Sequence, residues 1–239
     1  MKGKLYNEFA AEYAEVIKDN VFNAQFDRPS LCALSPDVCG KQVLDMGCGP
    51  GEYTKILVEK GAEVTAIDIS EKFIEIITKR FENISAYVQD LNLGLPKEES
   101  GKYDIVISPL TIHYVEDLKS LFREVSRVLK PKGLFLFSTH SPIADGMHYK
   151  PKNYYKTELV TDTWNTIGKP VEVQFYRRPL TEIFQAIFSS AMCIIDFSEG
   201  IVGEKIKDSS ERNFQYLSTQ PNFIYVKCRK EASETLNLK

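Results

Sequence analysis

Between Val43 and Thr54 the chain reads VLDMGCGPGEYT, an acid followed by glycines at 47, 49 and 51 and then a second acid, Glu52. A glycine-rich loop between a strand and a helix lets a ligand approach bare backbone, and the helix N-terminus behind it favours negative charge. The dinucleotide version is spaced G-x-G-x-x-G. Here the third glycine arrives one residue early and Glu52 stands in its place. A carboxylate in the first helical turn repels a pyrophosphate, and Asp45 at the strand end adds a second negative charge. The loop therefore suits a ligand with a cationic reactive centre better than one with two phosphates. Asp68 ends the next strand, where an acid can accept both ribose hydroxyls, a device that nicotinamide cofactors also use.

Other residues are candidates for the acceptor side. His113, in LTIHYV, is of the type most readily tuned as a general base near neutral pH, and equally a ring that packs beside cofactor and substrate. Arg28 follows the first helix in NAQFDRP with Asn23 and Phe26. As an unpaired guanidinium it favours an anionic acceptor; a surface ion pair explains it as well. His140 and His148 border or lie in a segment rich in aromatics: Tyr149, Tyr154, Tyr155, Trp164, Phe175 and Tyr176. These rings either wall an apolar pocket or are the folding face of a hairpin. The candidate acceptor pocket is Arg28, His140, Tyr155, Trp164 and Tyr176.

Alternating strands and helices must hold these residues. QVLDM, EVTAID, SAYVQ, YDIVIS and GLFLFST read as buried strands; helices follow from Glu52 to Lys60, after Ser70, and over DLKSLFREVSRVL, which stops before Pro131. LYNEFAAEYAEVI, with Leu5, Phe9, Tyr13 and Val16 at helical spacing, predicts one amphipathic helix at the start. Such alternation implies right-handed crossovers and a parallel sheet covered on both faces. From His140 to Pro179 the alternation stops. No clean helix is expected there; YKTELVTDTW and VEVQFYRR flank NTIGKP as in a long hairpin. A helix from Leu180 to Ser190 and two strands, CIIDFS and NFIYVKC, then precede a polar tail, RKEASETLNLK. The expectation is one domain over residues 1–239 with a lid-like insertion at 140–179.

Composition narrows the function. With 239 residues and a net charge of −3, the chain offers no global positive field to draw in nucleic acid or anionic lipid. Five cysteines without a C-x-x-C pair read as reduced thiols rather than a disulfide frame or zinc site. No run is apolar and long enough to span a membrane, and no leader is evident, so a cytoplasmic protein is expected.

Asp45-Met46-Gly47-Cys48-Gly49-Pro50-Gly51 matches D-x-G-C-G-x-G residue for residue, and with VTAIDIS, VQDLNLGLP, YDIVISPLTIHYVEDL and LKPKGLFLFSTHS it resembles the class I S-adenosylmethionine-dependent methyltransferases over roughly residues 1–145. Within that family it is similar to the small-molecule group that includes quinone-biosynthesis enzymes. The resemblance implies a doubly wound α/β fold: a mostly parallel, seven-stranded Rossmann-like sheet with an antiparallel last strand. It implies S-adenosylmethionine bound by Asp45, Gly47, Cys48, Gly49 and Asp68, with Asp90 on the adenine amine and Ile69 and Leu91 about the ring. The backbone of Ser108 would lie beside the methionine moiety, and Tyr13 matches a cofactor-side tyrosine; core packing accounts for Tyr13 as well. A small organic acceptor is expected, with no nucleic acid, membrane or metal. SPLT at 108–111 is not the [ND]-P-P-[YF] of amino-methylating DNA enzymes, and no Pro-Cys dipeptide occurs. The rivals are a nicotinamide-dependent oxidoreductase and a non-catalytic S-adenosylmethionine-binding protein.

Overall fold

The computed structural model describes residues 4–232. Five parallel strands form most of the main sheet: β1 (Gln42–Met46), β2 (Glu63–Asp68), β3 (Ser85–Val88), β4 (Tyr103–Ser108) and β5 (Leu129–His140). β8 (Met192–Ser198) and β9 (Phe223–Lys230) complete it, β9 running antiparallel to both β5 and β8. The seven strands lie in the order β3-β2-β1-β4-β5-β9-β8. This is the mostly parallel sheet with an antiparallel last strand that the sequence resemblance implies. Residues such as Val43, Leu44, Val106 and Phe135 are buried because helices cover both faces, which explains why these strands read as apolar runs rather than alternating ones.

Two apolar layers flank the sheet. On one face α6 (Leu118–Val128) buries Leu118, Leu121, Phe122, Val125 and Val128 against Phe135 and Phe137, with α8 (Leu180–Phe188) beside it. Asp117 caps α6 by accepting from the Ser120 N–H at 3.0 Å. On the other face α4 (Glu52–Glu59) and α3 (Arg28–Ala33) pack Tyr53, Leu57 and Leu31 against Val43, Ile105 and Tyr225. α5 (Glu71–Arg80), capped by Ser70, buries Phe73 and Ile77.

Several elements differ from the sequence expectation. The leading helix is divided into α1 (Lys4–Asn7) and α2 (Ala10–Val16). The break lets Leu5 pack on Val171 and Val173 while α2 buries Ala10 and Ala14. A π-helical turn, Val21–Asp27, joins α2 to α3; Asn20 caps it by accepting from the Asn23 and Ala24 N–H groups. Within 140–179 a helix does form, α7 (Pro142–Tyr149), with Ser141 as cap and Pro142 in the first turn. Gly146 weakens its helical signal, yet a side chain there would press on the Tyr154 ring, 3.2 Å from the position of a Cβ. α9 (Glu204–Ser209) and α10 (Glu211–Thr219) occupy a stretch to which the sequence reading assigns nothing. Of the polar tail, Arg229 and Lys230 belong to β9, and 233–239 lie outside the described residues.

The expected hairpin is present as a separate sheet, β6 (Glu158–Trp164) paired with β7 (Val171–Arg177). Opposed residues of an antiparallel pair share a face. Leu159, Thr161 and Thr163 therefore lie with Tyr176, Gln174 and Glu172, and Val160, Asp162 and Trp164 with Phe175, Val173 and Val171. The second face packs inward, with the Phe175 ring 4.6 Å from His140 and 5.8 Å from Trp164. Arg178, just after β7, donates to the carbonyls of Val115 and Glu116 and pairs with Glu182 at 3.0 Å, pinning the hairpin to the loop after β4. Among the described residues no helix is long and apolar enough to cross a membrane.

Candidate active site

The C-terminal ends of β1, β2, β3 and β4 open into a cavity of about 530 Å³, roofed by α1, α2 and the first hairpin face. A crevice at strand C-termini is where open α/β sheets bind ligands. Gly47 turns the chain there with φ +76°, and a Cβ on it would stand 2.2 Å from Thr111 Oγ1. The Gly47 and Cys48 N–H groups both donate to Ile67 O, at 2.8 and 3.0 Å. Gly49, at φ +54°, has nothing within 4 Å of its missing Cβ, so the loop presents bare backbone to open space.

Asp68 holds this loop to the next one. Its Oδ2 accepts from Gly49 N–H at 3.0 Å and its Oδ1 from Ser70 N–H at 2.8 Å. Burial pushes its pKa up to about 6, with the backbone donors of Ser70, Gly49 and Ile69 pulling the other way. After β3, Asp90 Oδ1 accepts from Asn92 N–H at 2.9 Å, and Gln89 Nε2 donates to Asp90 O and Gly94 O. Asp90, Leu91 and Ile69 all line the cavity.

Above the loop, Tyr6 and Tyr114 share a hydrogen bond, their hydroxyl oxygens 2.6 Å apart, and the Ser70 hydroxyl donates to Tyr6 O at 2.6 Å. Tyr13 meets Tyr6 edge-on at 5.1 Å. Burial raises the pKa of all three phenols, so they are neutral donors. From the hairpin, Leu159, Glu172, Val173, Gln174 and Tyr176 line the same space.

A loop that exposes backbone beside an acid on β2, with a further acid after β3, is the arrangement of an adenosyl-cofactor site. The comparisons agree. A methyltransferase domain model matches residues 44–137. A solved S-adenosylmethionine-dependent methyltransferase from Mesorhizobium loti is 26% identical, with a TM-score of 0.68 over 84% of this chain and 96% of that one. Residues 44–137 thus carry a methyltransferase domain, and the chain is similar to S-adenosylmethionine-dependent methyltransferases in sequence and fold. The ubiquinone biosynthesis O-methyltransferase of Bordetella avium is 34% identical over 111 residues, 44% of this chain and 45% of that protein, so this methyltransferase spans under half the length of that relative. An uncharacterized Haemophilus influenzae protein is 25% identical over 87% of this chain and 88% of its own length.

S-adenosylmethionine is the cofactor of this class, and the residues present fit it. The Gly49 backbone is open, a carboxylate stands at Asp68, and Asp27 and Arg28 lie beside the loop. Both residues line the cavity.

The methyltransferase brings together Tyr13, Gly47, Cys48, Gly49, Asp68, Ile69, Asp90, Leu91, Arg28 and Tyr176 on one cavity wall or another. Other expected residues lie elsewhere. Asp45 is fully buried behind the loop; its Oδ2 accepts from the Thr54 hydroxyl at 2.6 Å, and burial pushes its pKa to about 7. It braces the loop from below and does not line the cavity. Ser108 is buried too, donating from Oγ to Met46 O at 3.0 Å, and Pro109, Leu110 and Thr111 line the cavity in its stead. The Glu52 carboxylate, expected to repel pyrophosphate, is paired with Arg80 at 2.6 Å, which offsets that repulsion.

His113 is not on the cavity. It is buried, its Nδ1 lies 3.2 Å from Thr139 Oγ1, and its ring stacks on His140 at 4.1 Å. Burial first, then His140 and Arg178, hold its pKa well below the usual histidine range. A neutral ring locked in a stack is packing, so the base assignment is corrected. His140 and Trp164 belong to the same inward-packed cluster and do not line the cavity. Tyr155 is 77% exposed and His148 is also at the surface, neither lining the cavity. Arg28 is no surface ion pair: its Nη2 donates to Ile17 O at 3.0 Å.

The sequence reading named Tyr176 but missed Tyr6, Asp27, Tyr114 and the other hairpin residues on the cavity. Tyr114 directly follows His113 in a 3₁₀ turn, Ile112–Tyr114, its ring 4.3 Å from that of His113 while its hydroxyl reaches Tyr6. Strand alternation in VEVQFYR carried the signal for the hairpin, since Glu172, Gln174 and Tyr176 alternate with the buried Val171, Val173 and Phe175.

Proposed function

We propose that this methyltransferase transfers the methyl group of S-adenosylmethionine to a small, neutral or cationic organic acceptor bound between the tyrosines and the polar face of the β6–β7 hairpin. The observation that carries the acceptor class is the charge of the lining: Asp27, Glu52, Asp68, Asp90, Glu116 and Glu172 stand against the single guanidinium of Arg28. Glu52 is answered by Arg80, yet the hairpin side offers carboxylates and no lysine or arginine to the cavity. An anionic acceptor would enter against that field.

In this reading Asp68 accepts the ribose hydroxyls, Asp90 the adenine amine, and Ile69 and Leu91 sandwich the ring. The Gly47–Gly49 backbone lets the cofactor pass close to the loop, and the Arg28 guanidinium holds its carboxylate. When bound, the cofactor supplies a methyl group on a sulfonium, a leaving group already activated. What remains for the chain is alignment and exclusion of water. Tyr6, Tyr13 and Tyr114 roof the site, and Tyr176, held beside Glu116, and Gln174 offer the acceptor oriented polar groups. Residues 140–179 thus act as a cover of the one domain, through one face of the hairpin and not through its aromatic cluster. The names of relatives put ubiquinone-pathway O-methylation and demethylmenaquinone among reactions of similar proteins; a quinone-type acceptor of this kind is neutral and meets the lining criterion.

The experiment is release of S-adenosylhomocysteine with panels of neutral phenols, amines and carboxylic acids. Turnover with neutral or amine acceptors and none with the acids is expected. Turnover confined to the carboxylic acids would overturn the acceptor class. Separately, S-adenosylhomocysteine should raise the melting temperature while NAD should not.

A further inference from the structure

α7 and the segment that follows it carry a surface that methyl transfer leaves unused. The helix has two sides. Asp145 and Tyr149 turn inward, Asp145 to His140 Nδ1 at 3.7 Å and the Tyr149 hydroxyl to the Asp162 carboxylate at 2.6 Å. The Tyr149 ring lies 5.9 Å from Phe175, on the inner face of the hairpin. Ile143, Gly146 and Met147, at helical spacing, fall on the other side, and Lys150 ends the helix. Ile143 and Met147 are apolar, yet 49% and 55% exposed. The Tyr154 ring sits on Gly146 beside them, and Tyr155 meets Tyr154 edge-on at 5.4 Å while remaining largely exposed. That contact brings Tyr155 to the side of α7 that carries Ile143 and Met147.

Charge selects the partner of this patch. Residues 142–157 read PIADGMHYKPKNYYKT, with Lys150, Lys152 and Lys156 exposed and Asp145 as the one acid. Asp145 is turned to His140, and the carboxylates that border the segment are answered elsewhere, Glu158 by Arg177 at 3.4 Å and Glu182 by Arg178 at 3.0 Å. Among the described residues none of the three ammonium groups has a carboxylate at ion-pair distance. Bare lysines alone would suit any polyanion. Apolar side chains and a tyrosine set among them suit one that also accepts hydrocarbon, and that is the headgroup boundary of a bilayer carrying anionic lipid.

We propose that the outer side of α7 and the 150–157 segment dock on the surface of an anionic lipid bilayer, with the lysines on the headgroups and Ile143, Met147 and Tyr155 reaching below them. The expectation of no membrane partner rests on the net charge of −3 and on the lack of a spanning run. A surface helix needs neither, because the pull of a local patch is felt within a Debye length of the headgroups. Leu159, four residues beyond Tyr155 and also exposed, lines the cavity, so the docked surface leads to the cavity mouth. The docking residues themselves line no part of the cavity, and the proposal stands apart from the acceptor reading.

The test is co-sedimentation of the full chain with vesicles of phosphatidylcholine alone and of phosphatidylcholine and phosphatidylglycerol in equal parts. Binding to the second and not the first, weakened by added salt, is expected. Replacing Lys150, Lys152 and Lys156 together by glutamine should lower the partition coefficient roughly a hundredfold, about fivefold for each lysine. Ile143→Ser with Met147→Ser should lower it about tenfold or more. The same loss of charge at Lys60, Lys79 and Lys119, exposed elsewhere, should change it less than about twofold. Circular dichroism and S-adenosylhomocysteine affinity should be the same in all variants. No binding of the wild type to the anionic vesicles overturns the proposal, as do equal losses in the two lysine sets, which would mean net charge alone. Wild-type self-association that Ile143→Ser with Met147→Ser abolishes, without vesicle binding, would assign the patch to a second copy of the chain and overturn it too.

Discussion

The strand ends that carry Gly47, Asp68 and Asp90 and the hairpin that carries Glu172, Gln174 and Tyr176 border one cavity, but they are held in place differently. The first region sits on the parallel strands of the seven-stranded sheet, and its loops are tied by backbone donors to Asp68. The second is a two-stranded sheet, which alone is marginal in water. It stays in place because its inner face packs Val171 and Val173 on Leu5 and Phe175 on His140, and because Arg178 fixes its end. In the floor, recognition and stability are separable, because the sheet survives a lost loop contact. In the cover, the face that meets the ligand and the face that holds the hairpin are two sides of the same strands.

The sharpest way to break that comparison is at Gly47. A Cβ there meets Thr111 Oγ1 at 2.2 Å in a left-handed backbone, so Gly47→Ala should cost about 2–4 kcal/mol and abolish measurable S-adenosylhomocysteine binding. Thermal melts and calorimetry read both; wild-type binding would show that the loop is softer than its contacts imply.

The cover should reveal itself in acid. Burial lowers His140 to about 4, against an unfolded value near 6.5, so the fold favours its neutral ring. That contribution is complete above pH 6.5 and is lost as pH falls from 6.5 to 4, by roughly 3 kcal/mol at most. His113 shares the direction, whereas Asp145, raised to about 7 beside His140, has the opposite one; Asp162, Arg177 and Arg178 complete the charged surroundings. Denaturant titrations of wild type and His140→Gln should therefore converge in stability as the pH falls. Parallel curves would place His140 in a solvated setting.

Asp68→Ala should weaken S-adenosylhomocysteine by about 1–3 kcal/mol in calorimetry, with circular dichroism showing an intact fold. Unchanged affinity would separate the β2 acid from the ribose. Trp164→Ala removes a ring from the inward cluster and should lower stability by about 2 kcal/mol while leaving cofactor affinity alone. Should acceptor KM rise with stability intact, the two hairpin faces have been assigned the wrong way round. The smallest effect is expected on the outer face, where Tyr176→Phe removes one hydroxyl. The KM for acceptor should rise a few-fold, about 0.5–1 kcal/mol, at constant melting temperature.

Much of the floor was legible because its constraints are local. A left-handed glycine before a helix, an acid ending a strand and an apolar run between turns are each set within a few residues of chain, so Gly47, Gly49 and Asp68 could be placed before any contact was known. The same locality misled at Asp45 and Ser108. Both occupy the right strand ends, but their side chains turn into the sheet, to Thr54 and to Met46 O. His113 failed for a related reason. Its type suggested chemistry, whereas its setting, stacked on a histidine distant in sequence, removed its basicity.

The sequence by itself determined the alternation of strands and helices, the glycine loop between β1 and α4, and the hairpin with its two alternating faces, because backbone period and turn chemistry are written in neighbouring residues. Only the tertiary structure decided which hairpin residues reach the cavity, that the leading helix breaks so that Tyr6 can meet Tyr114, and that Asp27 is buried beside the loop with Tyr53 as its partner. Those outcomes depend on burial and on partners more than a hundred positions away in the chain for Tyr6. Desolvation, which turns an acid or a histidine from a surface charge into a buried group, is a property of the packed molecule and not of any segment of it.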